Sequence, residues 1–122
     1  MEGKVVLVVE DNALNMELVR DVLHAKGYRT LEATSGEEAL ELAGRNEPDL
    51  ILLDIQLPGI DGVTTLGRLR ETIVAGTPVV ALTAQAMQGD RESFLEAGFD
   101  GYISKPIDVP EFIAAVAGYC DG

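Results

Sequence analysis

Short apolar runs alternate with longer amphipathic stretches along the whole chain. The apolar runs, which predict strands, cover residues 4–9, 28–33, 50–53, 79–82 and 101–104. The stretches that follow repeat apolar residues every three to four positions and predict helices over 12–26, 35–46, 61–75, 86–97 and from 108 onward. Because every strand is followed by a helix, the pattern predicts one open α/β domain whose parallel sheet is covered on both faces.

The helices carry their own sequence signals. Ser35-Gly36-Glu37-Glu38 and Asp108-Val109-Pro110-Glu111 have the spacing of a capping box, which predicts two helix starts. For the first helix, the residues expected to face the sheet are Leu14, Leu18, Val22 and Leu23.

The third apolar run predicts the central strand of the sheet. Leu50 to Leu53 is unbroken and lies between Pro48-Asp49 and the turn Leu57-Pro58-Gly59, as in a strand buried on both faces. Asp54 closes this run, so its carboxylate should lie at the edge of the sheet. An aspartate at such a place can also begin a loop or cap a helix, and Asp54 alone leaves both interpretations open.

Polar residues follow four of the five predicted strands: Glu10-Asp11, Asp54, Thr83 and Ser104-Lys105-Pro106. In open α/β sheets the functional crevice lies at the carboxyl ends of the strands. If strands one, three, four and five are adjacent, at about 4.8 Å spacing, then Asp11 and Asp54 face each other. Crowded carboxylates raise each other's pKa unless a cation screens them, so the sequence predicts a hard divalent ion, Mg²⁺ first.

Lys105 and Thr83 complete the predicted site. Lys105 begins about two strand spacings, roughly 10 Å, from Asp54, and a long ammonium side chain can reach back over that distance. Thr83 offers a hydroxyl one strand away. Taken singly, Lys105 is equally consistent with a solvent-exposed charge on a loop, and Thr83 with an ordinary residue at the end of a strand. Together with a carboxylate nucleophile and a metal, they are the groups needed to hold a phosphoryl group.

The sequence resembles the receiver domain of two-component response regulators over essentially its whole length. The resemblance implies a single flavodoxin-like (βα)5 domain with strand order 2-1-3-4-5. Within the family, the chain is most similar to DivK-type single-domain regulators and to the receivers of hybrid kinases. This finer resemblance rests on Glu10-Asp11-Asn12 with Asn15-Met16, and on Ala86-Met87-Gln88-Gly89-Asp90 followed by Tyr102-Ile103-Ser104-Lys105-Pro106-Ile107. The residues that carry the family resemblance are Glu10-Asp11, the strand end at Asp54, Leu57-Pro58-Gly59-Ile60-Asp61-Gly62, Thr83-Ala84 and Lys105-Pro106.

The resemblance implies a role for each residue of the acidic site. Asp54 would be the phosphoacceptor and Lys105 would pair with the phosphoryl group. Mg²⁺, or Mn²⁺ in its place, would be bound by Asp11, Asp54 and the main-chain carbonyl of Gln56. Glu10 would act on the metal nearby through water.

A second group of residues would transmit and time the signal. By resemblance, Thr83 is the switch hydroxyl, Tyr102 is the aromatic that turns inward with it, and the Lys105–Pro106 peptide bond is cis. Gln56 and Gln85 lie two residues beyond the acceptor and the switch hydroxyl, where they could order or block a hydrolytic water and so tune the phosphoryl lifetime. They could equally be ordinary loop amides.

Composition limits the partners. The chain has 122 residues with nine Lys and Arg against 21 Asp and Glu, a formal charge of −12, which opposes binding to nucleic acid or an anionic membrane. Cys120 is the single cysteine, and no signal peptide or membrane span is predicted, so we expect a cytoplasmic protein. The expected partners are a sensor histidine kinase or histidine phosphotransfer protein and a downstream protein target.

We expect residues 1–122 to form one receiver domain, and Met1 and the Cys120-Asp121-Gly122 ending favour a complete protein without a separate output domain. Output would then pass through the face formed by the fourth helix, fifth strand and fifth helix. Such a domain catalyses only its own phosphorylation and dephosphorylation and is otherwise no enzyme.

Two other functions share parts of this pattern. A magnesium-dependent aspartyl-phosphate phosphohydrolase typically has a second acidic residue two positions after its aspartate, where this chain has Gln56. Such an enzyme also needs a cap domain that covers the substrate. A flavodoxin-like cofactor-binding protein would need a phosphate loop rich in Ser, Thr and Gly after the first strand, where Glu10-Asp11 would repel phosphate.

Overall fold

Strands and helices alternate along the described chain, as the hydrophobic pattern predicts. The computed structural model describes residues 3–55, 62–72, 76–83 and 95–121. The strands are β1 (Val5–Val9), β2 (Arg29–Ala33), β3 (Leu50–Asp54), β4 (Val79–Thr83) and β5 (Gly101–Ser104). The helices are α1 (Ala13–Ala25), α2 (Gly36–Asn46), α3 (Gly62–Thr72) and α5 (Val109–Asp121). Of α4, predicted over 86–97, the structure describes residues 95–97, which are helical.

The five strands form one parallel sheet in the order β2-β1-β3-β4-β5. This is the order of the flavodoxin-like fold, which is confirmed. Every residue of β3 and β4 is buried, whereas the edge strand β2 is largely accessible. In register, Val9 of β1 is opposite Leu53 of β3, and Asp54 is opposite Leu82 of β4. The carboxyl ends of the three inner strands therefore lie side by side.

Alternate strand residues point into two hydrophobic clusters, one on each face of the sheet. Phe112 and Val116 of α5 join the first cluster, and Leu66 and Leu69 of α3 join the second. The members contributed to the first by the other elements include Val6, Val8, Met16, Leu23, Leu50 and Leu52. Those of the second include Leu7, Val9, Ala39, Ala43, Ile51 and Leu53. Helices thus cover both faces, and no described helix is long and apolar enough to cross a membrane.

The prediction of which α1 residues face the sheet is partly wrong. Leu14 is 77% exposed and Leu18 is 38% exposed. The residues that α1 buries are Met16, Val19 and Leu23. Leu14 and Leu18 repeat at helical spacing, and so do Met16, Val19 and Leu23. The helix is oriented so that Met16, Val19 and Leu23 face the sheet.

Side-chain caps fix where three of the helices begin. Asn12 Oδ1 accepts a hydrogen bond from the N–H of Asn15 at 3.0 Å, and Asp108 Oδ1 accepts one from the N–H of Glu111 at 3.1 Å. At α2, Ser35 Oγ accepts from the N–H of Glu38 at 3.2 Å. The Glu38 carboxylate accepts in return from the N–H of Thr34 at 2.7 Å. The helix starts predicted at Ser35 and Asp108 are therefore confirmed.

One arginine ties α3 to the loop before β5. Arg70 donates hydrogen bonds to the carbonyls of Thr77 at 2.9 Å and Gly98 at 2.7 Å and to Asp100 Oδ2 at 2.8 Å. The same Asp100 oxygen accepts from the N–H of Val79 at 2.8 Å. One guanidinium group thus connects the start of β4 with the residues that precede β5. These contacts lie at the amino-terminal ends of the strands, opposite the edge that carries Asp54.

Candidate functional site

Main-chain hydrogen bonds hold two of the acidic residues at the carboxyl edge of the sheet. The N–H of Glu10 donates to the carbonyl of Ala33 at 2.9 Å, which extends the pairing of β1 with β2. On the other side of β1, the N–H of Ile55 donates to the carbonyl of Leu82 at 3.3 Å, which extends β3 past Asp54. Glu10 and Asp54 are therefore carried on ordered backbone.

Glu10, Asp11 and Asp54 form a cluster of carboxylates. Each residue offers an oxygen, and these three oxygens lie within 4.8 Å of one another. Glu10 and Asp54 are buried, with 1% and 4% of their surface exposed, while Asp11 is exposed. The strands thus bring together the residues that the order of strand ends predicts, and the cluster opens to solvent on the side of Asp11.

Lys105 crosses from the end of β5 into this cluster. Its Nζ lies 2.7 Å from Glu10 Oε1 and 2.8 Å from Asp54 Oδ2. The N–H of Lys105 donates to the carbonyl of Thr83 at 2.8 Å, and the Lys105–Pro106 peptide bond is cis, the isomer that the resemblance implies. The reach to Asp54 follows from the length of the side chain. The second contact, with Glu10, was not foreseen.

Burial and crowding alter the ionisation of the site. Burial raises the pKa of Glu10 from 4.5 to about 7, and the neighbouring Asp54 carboxyl adds to this effect, against the hydrogen bonds from Lys105 and Asn15. For Lys105, burial alone would lower the pKa, but the hydrogen bonds to Asp54 and Glu10 outweigh it and the pKa is raised. Lys105 is therefore held as a cation between two acids.

The donor set fits a hard divalent cation. Three carboxylates and one ammonium leave two negative charges when all are ionised, and Mg²⁺ prefers oxygen ligands and retained water. Among the described residues, Glu10 Oε2 is buried without a hydrogen-bond partner, although such atoms are rarely left unsatisfied. An ion or its water would satisfy it. The Gln56 carbonyl, a predicted ligand, lies outside the described residues.

The predicted switch residues lie on the neighbouring strands. Thr83 is buried at the end of β4, one residue beyond the partner of Asp54 in register. Tyr102 of β5 is half-buried and packs against the second hydrophobic cluster. Gln85, like Gln56, falls outside the described residues.

Asn15 is a site residue that sequence reasoning missed. Its Nδ2 donates to Glu10 Oε1 at 2.8 Å, so this oxygen accepts from both Asn15 and Lys105. A signal was present in the sequence. Asn15 stands three residues after the cap Asn12, where a capping box would have Glu or Gln.

The fold and this site define a signalling switch of the two-component type. The family model described as the response regulator receiver domain matches residues 6–117, and the chain belongs to that family. The receiver resemblance and the phosphorylation-dependent signalling function are thereby confirmed. The phosphohydrolase and cofactor-binding alternatives are not favoured.

Individual relatives agree with this assignment. The chain is 49% identical over 117 residues to the polar-differentiation response regulator DivK of Brucella ovis, covering 95% of both chains. It is 35% identical to the receiver domain of a sensor histidine kinase from Pseudomonas aeruginosa PAO1, solved with a magnesium ion coordinated in its active site cleft, at a TM-score of 0.89 over 98% and 99% of the two chains. The Francisella response regulator 1452 receiver domain is 30% identical, with a TM-score of 0.89 over 98% of each chain.

Proposed function

We propose that Asp54 accepts a phosphoryl group from a phosphohistidine of a sensor histidine kinase or histidine phosphotransfer protein. The observation that carries this proposal is the Asp54 carboxylate, buried at a strand end beside two further acids and 2.8 Å from the Lys105 ammonium. In the step, a carboxylate oxygen attacks phosphorus, the phosphorus–nitrogen bond breaks, and the electron pair leaves with the imidazole. The product is an aspartyl phosphate.

The metal of this reaction is Mg²⁺, with Mn²⁺ as a possible substitute. Asp11, Asp54 and the main-chain carbonyl of Gln56 would hold it, and Glu10 would act through water. When bound, the ion neutralises charge on the phosphoryl oxygens. Support comes from the acidic cluster and from the magnesium site of the Pseudomonas receiver domain.

Lys105 positions the acceptor before reaction and binds the product after it. The ammonium already contacts the Asp54 carboxylate, so a phosphoryl group added there enters its reach. A doubly negative phosphoryl group competes strongly for a cation that two carboxylates share. Lys105 then pairs with a phosphoryl oxygen.

The phosphorylated state signals through Thr83 and Tyr102. The Thr83 hydroxyl moves toward the phosphoryl group, Tyr102 turns inward, and the face formed by α4, β5 and α5 contacts a downstream protein. A change from 1:99 to 99:1 between two states requires roughly 5.5 kcal/mol of differential stabilisation. Gln56 and Gln85 tune how long the phosphoryl group survives.

The setting of this switch follows from charge and architecture. Residues 1–122 act as one receiver domain in the cytoplasm, and their output passes through protein contacts. The formal charge of −12 disfavours nucleic acid and membrane surfaces as direct partners. The domain catalyses its own phosphorylation and dephosphorylation and turns over no separate substrate.

Intact-protein mass spectrometry after incubation with acetyl phosphate tests the acceptor. The wild type should gain one labile phosphoryl adduct that requires Mg²⁺. Asp54→Asn should gain none, whereas Asp21→Asn, a change of an exposed acid on α1, should label like the wild type. Equal labelling of Asp54→Asn, or no labelling of the wild type, would overturn the proposal.

A further inference from the structure

We infer that Asn15 is a positioning residue that sets the Glu10 carboxylate for the metal and keeps it in place when Lys105 turns to the phosphoryl group. This inference rests on the proposed function, because it concerns the same site. It assigns to the first turn of α1 a part in metal binding.

The two oxygens of Glu10 have different surroundings. Oε1 accepts hydrogen bonds from Asn15 Nδ2 at 2.8 Å and from Lys105 Nζ at 2.7 Å. Oε2 is buried and, within the described ranges, has no partner. The side chain has no exposed surface, so bulk water does not compensate for the difference. Two donors on one oxygen fix the rotation of the carboxylate and leave the other oxygen available to the metal's water.

The choice of an amide at position 15 fits this role. The third residue after the cap is Glu38 in α2 and Glu111 in α5. A carboxylate at this position is attracted to the partial positive charge at the amino end of the helix. A carboxylate in the same place on α1 would meet Glu10 and repel it. An asparagine there donates a hydrogen bond to Glu10, and its neutral side chain adds no charge to an already acidic cluster.

The amide group of Asn15 is not needed to begin the helix. The cap Asn12 accepts from the main-chain N–H of Asn15, and this bond remains when the side chain is removed. The effect of Asn15 on Glu10 can therefore be separated from its effect on α1.

Phosphorylation makes Asn15 more important. Lys105 is shared between Glu10 and Asp54 in the structure. When Lys105 turns to a phosphoryl oxygen, Asn15 remains as a donor to Glu10 Oε1. A neutral amide is attracted to the phosphoryl charge far less than an ammonium is, so the Glu10 carboxylate keeps its orientation throughout the cycle.

The test is a Mg²⁺ titration followed by NMR of the backbone amides, at fixed ionic strength. The proteins are the wild type, Asn15→Ala, Glu10→Gln and the double variant. Loss of such an outer contact typically weakens metal binding 10-fold to 100-fold, and we expect Asn15→Ala to raise the Mg²⁺ dissociation constant about tenfold. In the Glu10→Gln background the same change should have no further effect, because its route of action is gone.

Two further variants keep the result interpretable. Asn46→Ala removes an asparagine that donates to the Leu42 carbonyl at 3.0 Å, far from the site, and should bind Mg²⁺ like the wild type. Asn15→Leu keeps the branching at Cγ but has no donor, and it should repeat the effect of Asn15→Ala, so that a folding defect in one variant does not decide the matter.

An unchanged dissociation constant in both Asn15 variants, or an equal loss in the Glu10→Gln background, would overturn the inference alone. A wild type that binds no Mg²⁺ at a site sensitive to Asp54→Asn would instead overturn the proposed function and this inference together.

Discussion

Replacing Glu10 with glutamine should stabilise the metal-free protein while weakening its metal site. Glu10 is buried, and its charge lies beside Asp54 and Asp11. Glutamine has nearly the same shape, and its carbonyl oxygen can still accept from Asn15 and Lys105. The substitution therefore removes the charge and keeps both hydrogen bonds.

The expected gain depends on pH in a defined direction. The carboxyl ionises near 4.5 in the unfolded chain and at about 7 in the folded protein. Between these values folding takes up a proton, so the free energy of unfolding falls by up to about 1.4 kcal/mol for each unit of rising pH. The penalty is absent below 4.5 and complete above about 7, where it reaches roughly 3 kcal/mol. Glu10→Gln should therefore gain roughly 3 kcal/mol at pH 8 and about half as much at pH 5.5.

Urea unfolding followed by circular dichroism, in buffer with a chelator, measures this gain at both pH values. Glu17→Gln, a change of an exposed glutamate on α1, is the control and should shift stability by less than about 0.5 kcal/mol. Adding Mg²⁺ should narrow the gap, because the ion stabilises the folded wild type by mass action. A Glu10→Gln protein no more stable than the wild type at pH 8, or a gap that does not change with pH, would refute the reasoning.

Three further predictions concern the scaffold, and urea unfolding checks each. Gly101→Ala would press a methyl group against the hydroxyl end of the Tyr119 side chain and should cost about 1–3 kcal/mol. Gly67→Ala places its new Cβ with nothing within 4 Å and should gain up to about 1 kcal/mol. Ser35→Ala loses the cap of α2 and should cost about 1 kcal/mol, and a loss in Ser35→Asp as well would argue against the cap. Arg70→Lys keeps the charge but not the forked hydrogen bonds to two carbonyls and Asp100, and should cost about 1 kcal/mol. Wild-type stability there would show that charge alone suffices.

The strands and their ends could be predicted because a buried parallel strand leaves an unbroken apolar run. Leu50–Asp54 is such a run, and its last residue had to lie at the sheet edge. The distance that Lys105 had to span followed from strand spacing alone. These features depend on backbone geometry that varies little between parallel sheets.

The face of α1 could not be predicted from periodicity. Leu14 and Leu18 repeat at helical spacing as regularly as Met16 and Val19 do, and leucine is the more apolar choice. The short connection from β1 and the cap at Asn12 set the rotation of the helix, and that rotation buries the second pair. Periodicity gives the spacing of apolar residues along one side of a helix. It does not say which of two apolar sides packs against the sheet.

The contacts around Glu10 were missed for a related reason. Its two donors come from α1 and from the end of β5, and they meet on one oxygen only because of side-chain directions. The order of the strand ends placed Glu10 beside the other two acids but gave no orientation to its carboxylate. Such detail arises when the packed elements fix each rotamer.

The bond between Lys105 and Glu10 joins residues 95 positions apart and links the end of the first strand to the end of the last. A ribosome makes the chain from the amino terminus, so both buried acids emerge long before their cation does. Until β5 has left the exit tunnel, the acids have no ammonium to hold them, and the acceptor site stays unfinished. A chain that ended before Lys105 would therefore carry the Asp54 carboxylate without the ammonium group that contacts it.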